Sequence, residues 1–402
     1  MKKSLIALAA LAAVSAASAQ SSVTLYGLVD VAVGTHSIVS RDGTTTTRAS
    51  GVQDGSNAGN RIGFRGTEDL GGGLKANFVV EQGISPTSGN VFSQRAASSG
   101  IQQVGVGGGA FSTSTNRQSY VGLSSASLGT LNIGYTYTNA YELSTLSGYL
   151  VGSEQVGGIN HVAGIAQVGG TRANGLTYIS PNFAGGFTVR AQYGASGATL
   201  QNFTSTTSGG SGLNVDQNKR AGLMLQYANG PLSAALAHTA MSSRQYNTTG
   251  GLGAITNAFG VVTAAPGTFT LTGANRRSNL TQLGASYDFG VAKVAGTYNR
   301  GKDGGTATSL LNSNFRGYQI GVSAPFGAFV PFLLVGKDTQ KTDTVAADVR
   351  DVRATHFGVR YSLSKRTTAY AMYGTETNNA VVLPAGAGYK QTKTVVGVAH
   401  SF

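Results

Sequence analysis

The sequence predicts an all-β chain: a 16-stranded antiparallel transmembrane β-barrel with short turns at one end and long loops at the other. Three observations carry this. Apolar and polar residues alternate with period two along most of the chain. Tight turns alternate with long polar connections. The last strand runs to the final residue and finishes on an aromatic, Phe402.

The chain opens with a leader. Met1-Lys2-Lys3 is a positive n-region, Leu5 to Val14 a short apolar stretch, and Ala17-Ser18-Ala19 an A-x-A cleavage site. The apolar stretch is too short to span a bilayer and lacks a stop-transfer flank, so it predicts an exported protein. Residues 1–19 are the expected signal peptide and 20–402 the expected barrel domain. Removing the leader from the 402 residues leaves 383, and the net charge falls from +13 to +11 because Lys2 and Lys3 go with it.

Composition fits a barrel in lipid. Charged residues make up 11% of the chain, under half the usual share of about 25%. Only 41% is hydrophobic, and glycine reaches 59 residues. No run of 18 apolar residues occurs after the leader, so a transmembrane helix is not predicted. The chain has no cysteine, which removes disulfide frameworks and thiolate metal sites.

The strands follow in order. In 22–35, Val23, Leu25, Val29, Val31 and Val33 share a face opposite Thr24, Tyr26 and Asp30. In 61–66, Ile62 and Phe64 oppose Arg61 and Arg65. In 74–82, Ala76, Phe78 and Val80 oppose Lys75, Asn77 and Glu81. The same alternation recurs in 187–193, 220–227, 318–323 and 356–361. In the tail, Val396, Val398, His400 and Phe402 fall on one face, because successive side chains of a strand point to opposite sides.

Alternation alone also suits a soluble sandwich; the connections decide. Seven are tight: Asp69–Gly73, Ser125–Thr130, Pro181–Gly186, Asn229-Gly230, Asp288–Val291, Pro325–Gly327 and Leu363–Lys365. Between them lie polar, Gly/Ser/Thr-rich stretches near 36–58, 84–115, 138–168, 196–217, 242–277, 300–314, 337–352 and 376–391, all expected as loops. Short inner turns alternating with long external loops, at an even strand count, is the layout of outer-membrane barrels.

Several stretches carry a closer likeness. The Val396–Phe402 tail resembles the C-terminal signature of Gram-negative outer-membrane proteins. That resemblance implies an assembly signal, His400 and Phe402 included, read by the barrel insertion machinery. Ser21-Ser22-Val23-Thr24-Leu25-Tyr26-Gly27 resembles the mature start of the β-proteobacterial general porins. The run from Asn60 to Ala76, Asn-Arg-Ile-Gly-Phe-Arg-Gly-Thr-Glu-Asp-Leu-Gly-Gly-Gly-Leu-Lys-Ala, resembles that family's second and third strands. Asn116-Arg117-Gln118-Ser119-Tyr120-Val121-Gly122-Leu123 resembles its fourth strand, and Gly175-Leu176-Thr177-Tyr178 its sixth.

The resemblance implies a homotrimeric diffusion channel narrowed by the third external loop, with wall arginines facing acids on that loop. By matching position the basic wall candidates are Arg61, Arg65, Arg117 and Arg172. The acidic candidates are Glu142 and Glu154, the only charges within 139–168. Alternation independently puts Arg61 and Arg65 away from Ile62 and Phe64, and it puts Arg117 on the face opposite Tyr120. A charged side chain on the lipid face at mid-membrane costs roughly 2–4 kcal/mol, so these arginines are expected to face water. Lys75 and Arg190 read as plain lumen residues. The chain departs from the family at Gly134-Tyr135-Thr136, where Gly-Arg-Gln is usual, and in lacking a Pro-Glu-Phe-Gly turn in the third loop.

Other chemistry is not signalled. His36, His161, His238, His356 and His400 show no metal-ligand spacing such as H-E-x-x-H, and no Gly-x-Ser-x-Gly elbow occurs. The basic residues are dispersed and carry no aromatic-interleaved cluster, so nucleic acid is not an expected partner. No cofactor and no catalysis are expected. The sequence therefore points to an outer-membrane channel for passive diffusion of small hydrophilic solutes, with anions preferred. Outer-membrane lipid and lipopolysaccharide are the expected surroundings. The rival readings are a channel selective for small anionic metabolites, a barrel adhesin and a barrel lipid hydrolase.

Overall fold

In an antiparallel barrel every backbone N–H and C=O finds a partner across the wall, the condition for crossing lipid with strands. The computed structural model meets it. It describes residues 22–88, 116–148, 172–204, 211–249, 254–256, 262–264, 270–304, 312–342, 348–380 and 388–402. The expected leader 1–19, Glu154 and most of the third loop lie outside these residues.

The strands are β1 (Ser22–Ser40), β2 (Thr46–Asp54), β3 (Arg61–Gly71), β4 (Leu74–Gly83), β5 (Asn116–Ser125), β6 (Gly129–Tyr137), β7 (Arg172–Ile179), β8 (Phe187–Thr204), β9 (Ser211–Asn229) and β10 (Leu232–Thr249). A small hairpin of β11 (Ala254–Thr256) and β12 (Val262–Ala264) follows. Then come β13 (Thr270–Asp288), β14 (Lys293–Asp303), β15 (Ser313–Ser323), β16 (Phe329–Thr342), β17 (Asp348–Ser362), β18 (Thr367–Asn378) and β19 (Tyr389–Ser401). One helix, α1 (Asn139–Gly148), follows β6.

Each strand of the wall pairs antiparallel with its neighbour, and β19 closes on β1 with Leu28 opposite Ser401 and Ser40 opposite Tyr389. Seventeen strands belong to this sheet, yet the wall has sixteen positions. The reason is that β2 and β3 share one. β3 covers the lower part of β1, from Ser22 to Leu28, and β2 covers the upper part, from Val31 to Val39.

Asp30 holds the break between β2 and β3. Its carboxylate accepts hydrogen bonds from the Asn57 and Ala58 amides at 2.6 Å and from the Tyr370 hydroxyl at 2.5 Å, and its amide donates to Asn60 Oδ1. Gly55 N–H donates to the Asp30 carbonyl. The irregular residues thus find their partners in one fully buried side chain and its backbone, the accounting that a buried interruption requires.

All seven expected tight turns are present at one end of the barrel, with both ends of the described wall beside them. The outward face is apolar: Val23, Leu25, Phe64, Val80, Val121, Ile133, Leu223, Leu225, Leu236, Leu283, Ile320, Leu333 and Val398 are all exposed. Near the tight turns aromatic rings meet in pairs, Phe187 with Tyr227, Tyr287 with Phe289 and Phe329 with Tyr361. Aromatics at this level are the girdle of a membrane interface.

Phe402 and Gly27 exchange backbone hydrogen bonds at 3.1 Å. The Phe402 ring lies over Gly27, where any Cβ would collide with it. Val396, Val398, His400 and Phe402 share the outward face as expected, and His400 Nδ1 meets Thr367 Oγ1 at 2.9 Å.

The long connections differ from expectation. The stretches 36–58, 196–217, 242–277 and 337–352 are partly strand: β1 runs to Ser40, β8 to Thr204, β10 to Thr249 and β16 to Thr342. Above the membrane both faces of a strand meet water. The period-two hydrophobic signal then vanishes while the hydrogen-bonded ladder continues, and sequence patterning sees a loop.

Candidate functional site

The site is built on the lumen side of β1, β3, β4, β5 and β8, with α1 opposite part of it. Tyr26, Gly63 and Glu81 lie in one cross-strand row on the face opposite Leu25, Phe64 and Val80, and so point inward. Glu81 is buried, and three neighbours converge on it. Arg117 Nε donates to Oε1, Tyr26 hydroxyl donates to Oε2 at 3.1 Å, and Arg61 Nε stands 3.8 Å from Oε2. Charge-assisted bonds of this type are the strong ones in a protein.

Arg117 reaches Glu81 by an irregularity that corrects the simple pattern. On β5, Val121 and Leu123 point outward, so strict alternation sends Arg117 to the lipid and Tyr120 to the lumen. The register shifts between Val80 and Gln82, whose partners are Ser119 and Asn116. That β-bulge re-aims Arg117, and Arg117 and Tyr120 end on the lumen side together rather than on opposite faces.

The stretch after β6, expected as loop, begins with α1. The Thr138 hydroxyl accepts from the Tyr141 amide at 3.2 Å, a side-chain N-cap. Asn139 is held by its amide to Gln192 Oε1 at 2.8 Å. Gly222 leaves room for it: a Cβ there would stand 3.1 Å from Asn139 Nδ2. Leu143 is fully buried against Met224, Ala235 and Ala237. Those three flank outward-facing Leu223, Leu225 and Leu236, so they face the lumen. The helix therefore folds inside the barrel and docks on the inner wall of β10 and β13, with Met224 of β9 at its edge.

Glu142 projects from α1 toward Arg190 of β8. Arg190 Nη1 meets Glu142 Oε1 at 3.1 Å, and Nη2 donates to the Tyr137 carbonyl at 2.6 Å. Arg190 is thus no plain lumen residue. It is the wall residue that grips the inserted helix, in a sector where β6 lacks the arginine usual in the family. Tyr137 joins the two groups: its hydroxyl accepts from Arg117 Nη2 at 2.9 Å, and its ring stacks on Tyr141 at 4.6 Å.

The other basic candidates fall nearby. Arg65 lies over the Tyr26 ring at 5.2 Å, and Arg172 over the Tyr137 ring at 4.9 Å. Arg61, Arg65, Glu81, Arg117, Glu142 and Arg190 all line one open cavity of about 800 Å³. Arg172 meets the cluster through the Tyr137 ring. Lys75 sits near the tight-turn end, exposed and away from it. Glu81, Tyr26 and Tyr137 are the members of this cluster that sequence reading passes over. Glu81 shows there only as a polar residue alternating with Val80, with nothing to mark its two arginine partners.

With this geometry in place, the likeness to known proteins is specific. Residues 7–380 match the family described as Gram-negative porin. Outer membrane porin protein 32 of Delftia acidovorans is 32% identical over 423 residues, covering all of both chains. An outer membrane porin protein of Bordetella pertussis is 26% identical over 448 residues, again covering both chains fully. Among solved structures, the anion-selective porin from Comamonas acidovorans superposes with a TM-score of 0.61 at 26% identity, over 95% of this chain and 100% of that one. Family and fold are those of a channel rather than an enzyme. A closed barrel, an inward-folded helix and an end-to-end family match together make this chain a Gram-negative porin, an outer-membrane barrel through which small hydrophilic solutes diffuse passively.

Proposed function

We propose that the narrowing between α1 and the wall prefers anions, and that Arg61, Arg65, Arg117, Arg172, Arg190, Glu81 and Glu142 set that preference. The carrying observation is the charge balance of the shared cavity. Four arginines and two glutamates line it, a balance of +2. Low-dielectric walls focus such a field into the water between them and raise the local concentration of counter-ions. The anion selectivity named for the Comamonas acidovorans structure supports the same reading. Glu154, on the same loop, belongs to the proposed acidic set by sequence position.

The working unit is a homotrimer in this reading, supported by the trimer form described for the Vibrio cholerae barrel of the same fold. Export proceeds by removal of residues 1–19. The terminal Phe402 with His400 is the signal by which the insertion machinery receives the barrel; the closure of Phe402 on Gly27 supports a role for the last residue in completing the wall. Outer-membrane lipid, lipopolysaccharide included, surrounds the apolar face.

The test is the zero-current potential of the purified protein across a planar bilayer in a potassium chloride gradient. A potential of the sign set by chloride is the expected result. A cation-selective potential would sink the proposed roles of the arginines. Trimer assembly is read separately, from a heavy band on gels run without boiling.

A further inference from the structure

Arg65 differs from the other arginines of the lumen cavity in having no acid beside it. Arg61 and Arg117 share Glu81, and Arg190 takes Glu142. Among the described residues Arg65 makes no ion pair and its side chain no hydrogen bond. Its one recorded side-chain contact is a ring: the guanidinium stands over Tyr26 at 5.2 Å. The residue is exposed and lines the cavity. All five of its N–H donors and its charge are therefore open to the water of the passage.

The ring beneath Arg65 is fixed from two sides. Tyr26 of β1 stands opposite Gly63 of β3, one inward row from Arg65 and one from Arg61. Gly63 has no side chain, and a Cβ there would come within 2.6 Å of the Tyr26 ring, so the ring lies against the wall. The Tyr26 hydroxyl is tied to Glu81 at 3.1 Å. A tyrosine held in this way is a rigid platform, and Arg65 is the layer above it. Arg61 lies four residues away on the same face, about 13 Å along the strand at 3.3 Å per residue. Its Nη1 donates to the Gly59 carbonyl at 3.1 Å and its Nε faces Glu81, which leaves Nη2 for a ligand. The same cavity is lined by a second pair of flat groups, Tyr137 and Tyr141, stacked at 4.6 Å.

We propose that this part of the passage is a slot for planar aromatic carboxylates, with benzoate the smallest of the class. The inference deepens the anion reading above and rests on it. The ligand ring lies on the Arg65 guanidinium and adds one layer to the Tyr26–Arg65 pile, while the carboxylate reaches toward Arg61. Planarity sets this division of roles. A carboxylate conjugated to a ring lies near the plane of that ring. The guanidinium that carries the ring on its face therefore cannot also grip the carboxylate with its edge, and a second base further along the wall is needed. Chloride and aliphatic carboxylates draw on charge alone. An aromatic acid draws on charge and on stacking, and stacking is what arginine offers and lysine does not.

The test compares the wild type, Arg65→Lys and the control Lys75→Gln in planar bilayers, with folding verified by heat-modifiable gel mobility. Chloride current is titrated at pH 7 with sodium benzoate and, separately, with sodium cyclohexanecarboxylate, an acid of the same charge and nearly the same size whose ring is not aromatic. The quantity read is the ratio of the two half-blocking concentrations. Wild type and K75Q are expected to be blocked by benzoate at a concentration roughly fivefold lower, the size of one stacked cation–π contact. In R65K, where a positive charge remains and the planar face is gone, the ratio is expected to fall to about one. Equal block of wild type by the two acids would overturn the slot, and a ratio kept in R65K would remove Arg65 from it. The zero-current potential in a potassium chloride gradient is recorded on the same bilayers. A cation-selective wild type would sink the anion reading and the slot with it, whereas an anion-selective wild type with equal block would sink the slot alone.

Discussion

Arg190 on the wall and Glu142 on the inserted helix meet at 3.1 Å, and this ion pair is the charged tie between α1 and the barrel, beside the hydrogen bond of the Asn139 amide to Gln192. The apolar tie is Leu143, on the next residue of the same helix. The two attachments lie on different sides of α1 and separate cleanly by mutation.

Leu143→Ala is expected to loosen the helix without opening the barrel. Truncating a fully buried leucine costs about 2–5 kcal/mol, and here that cost falls on docking rather than on wall hydrogen bonds. Single-channel recordings are expected to show larger and noisier conductance steps, with heat-modifiable gel mobility retained. Unchanged, quiet conductance would show that α1 does not control the passage.

Glu81→Gln removes the charge on which Arg61 and Arg117 converge, and anion preference is expected to rise. A unit charge about 10 Å from the path, in a water-like dielectric and partly screened, changes the anion-to-cation permeability ratio roughly two- to fourfold. The zero-current potential in a chloride gradient measures it. A ratio equal to wild type would remove Glu81 from the selectivity determinants.

Replacing Arg61 and Arg117 together by glutamine is expected to move selectivity toward cations. It leaves Glu81 buried without its basic partners, so some loss of wall stability accompanies the change, on the order of 1–3 kcal/mol. Both effects are legible in one preparation, the first from bilayer potentials and the second from the unfolding midpoint in denaturant.

Asp30→Ala removes the acceptor for two backbone amides and a tyrosine hydroxyl at the β2–β3 break. Residues 55–60 are expected to exchange amide hydrogens faster while β1 and β19 keep their protection. Exchange followed by mass spectrometry resolves the segment, and uniform protection would show that the break is held by other contacts.

Deleting Phe402 is expected to lower the amount of protein in the outer membrane, since the last backbone pairing with Gly27 is lost with it. Normal levels of the truncated chain would show that closure and recognition tolerate a shorter strand.

The architecture was legible because a barrel wall repeats one rule, apolar out and polar in, wherever lipid is present. Val23, Phe64, Val80 and Val398 obey it, and the tight turns mark the strand ends. Legibility failed where lipid stops. Above the membrane β2 and the upper parts of β8 and β10 lose the alternation but keep the ladder. The site was legible as residue types and not as partners. Arg61 and Arg65 follow from the pattern; Arg117 reaches the lumen only through a bulge that no periodicity reports. Arg190 acquires its role from Glu142, a residue distant in sequence that the fold of α1 brings to it. Glu81 is one acid among alternating polar residues until β3 and β5 close on either side.

The seam between β1 and β19 also sets an order in time. Among the described residues, one edge of β1 from Val29 to Ser40 is paired only by residues 389–400, which lie far downstream in the chain and are made long after it. Until they arrive, that edge is an open row of donors and acceptors, the feature that invites pairing with foreign strands. Contacts across nearly the whole chain length form slowly. The nascent protein therefore spends its transit through the cell envelope with a sticky margin, and safe passage depends on whatever keeps that margin covered until β19 can seal it.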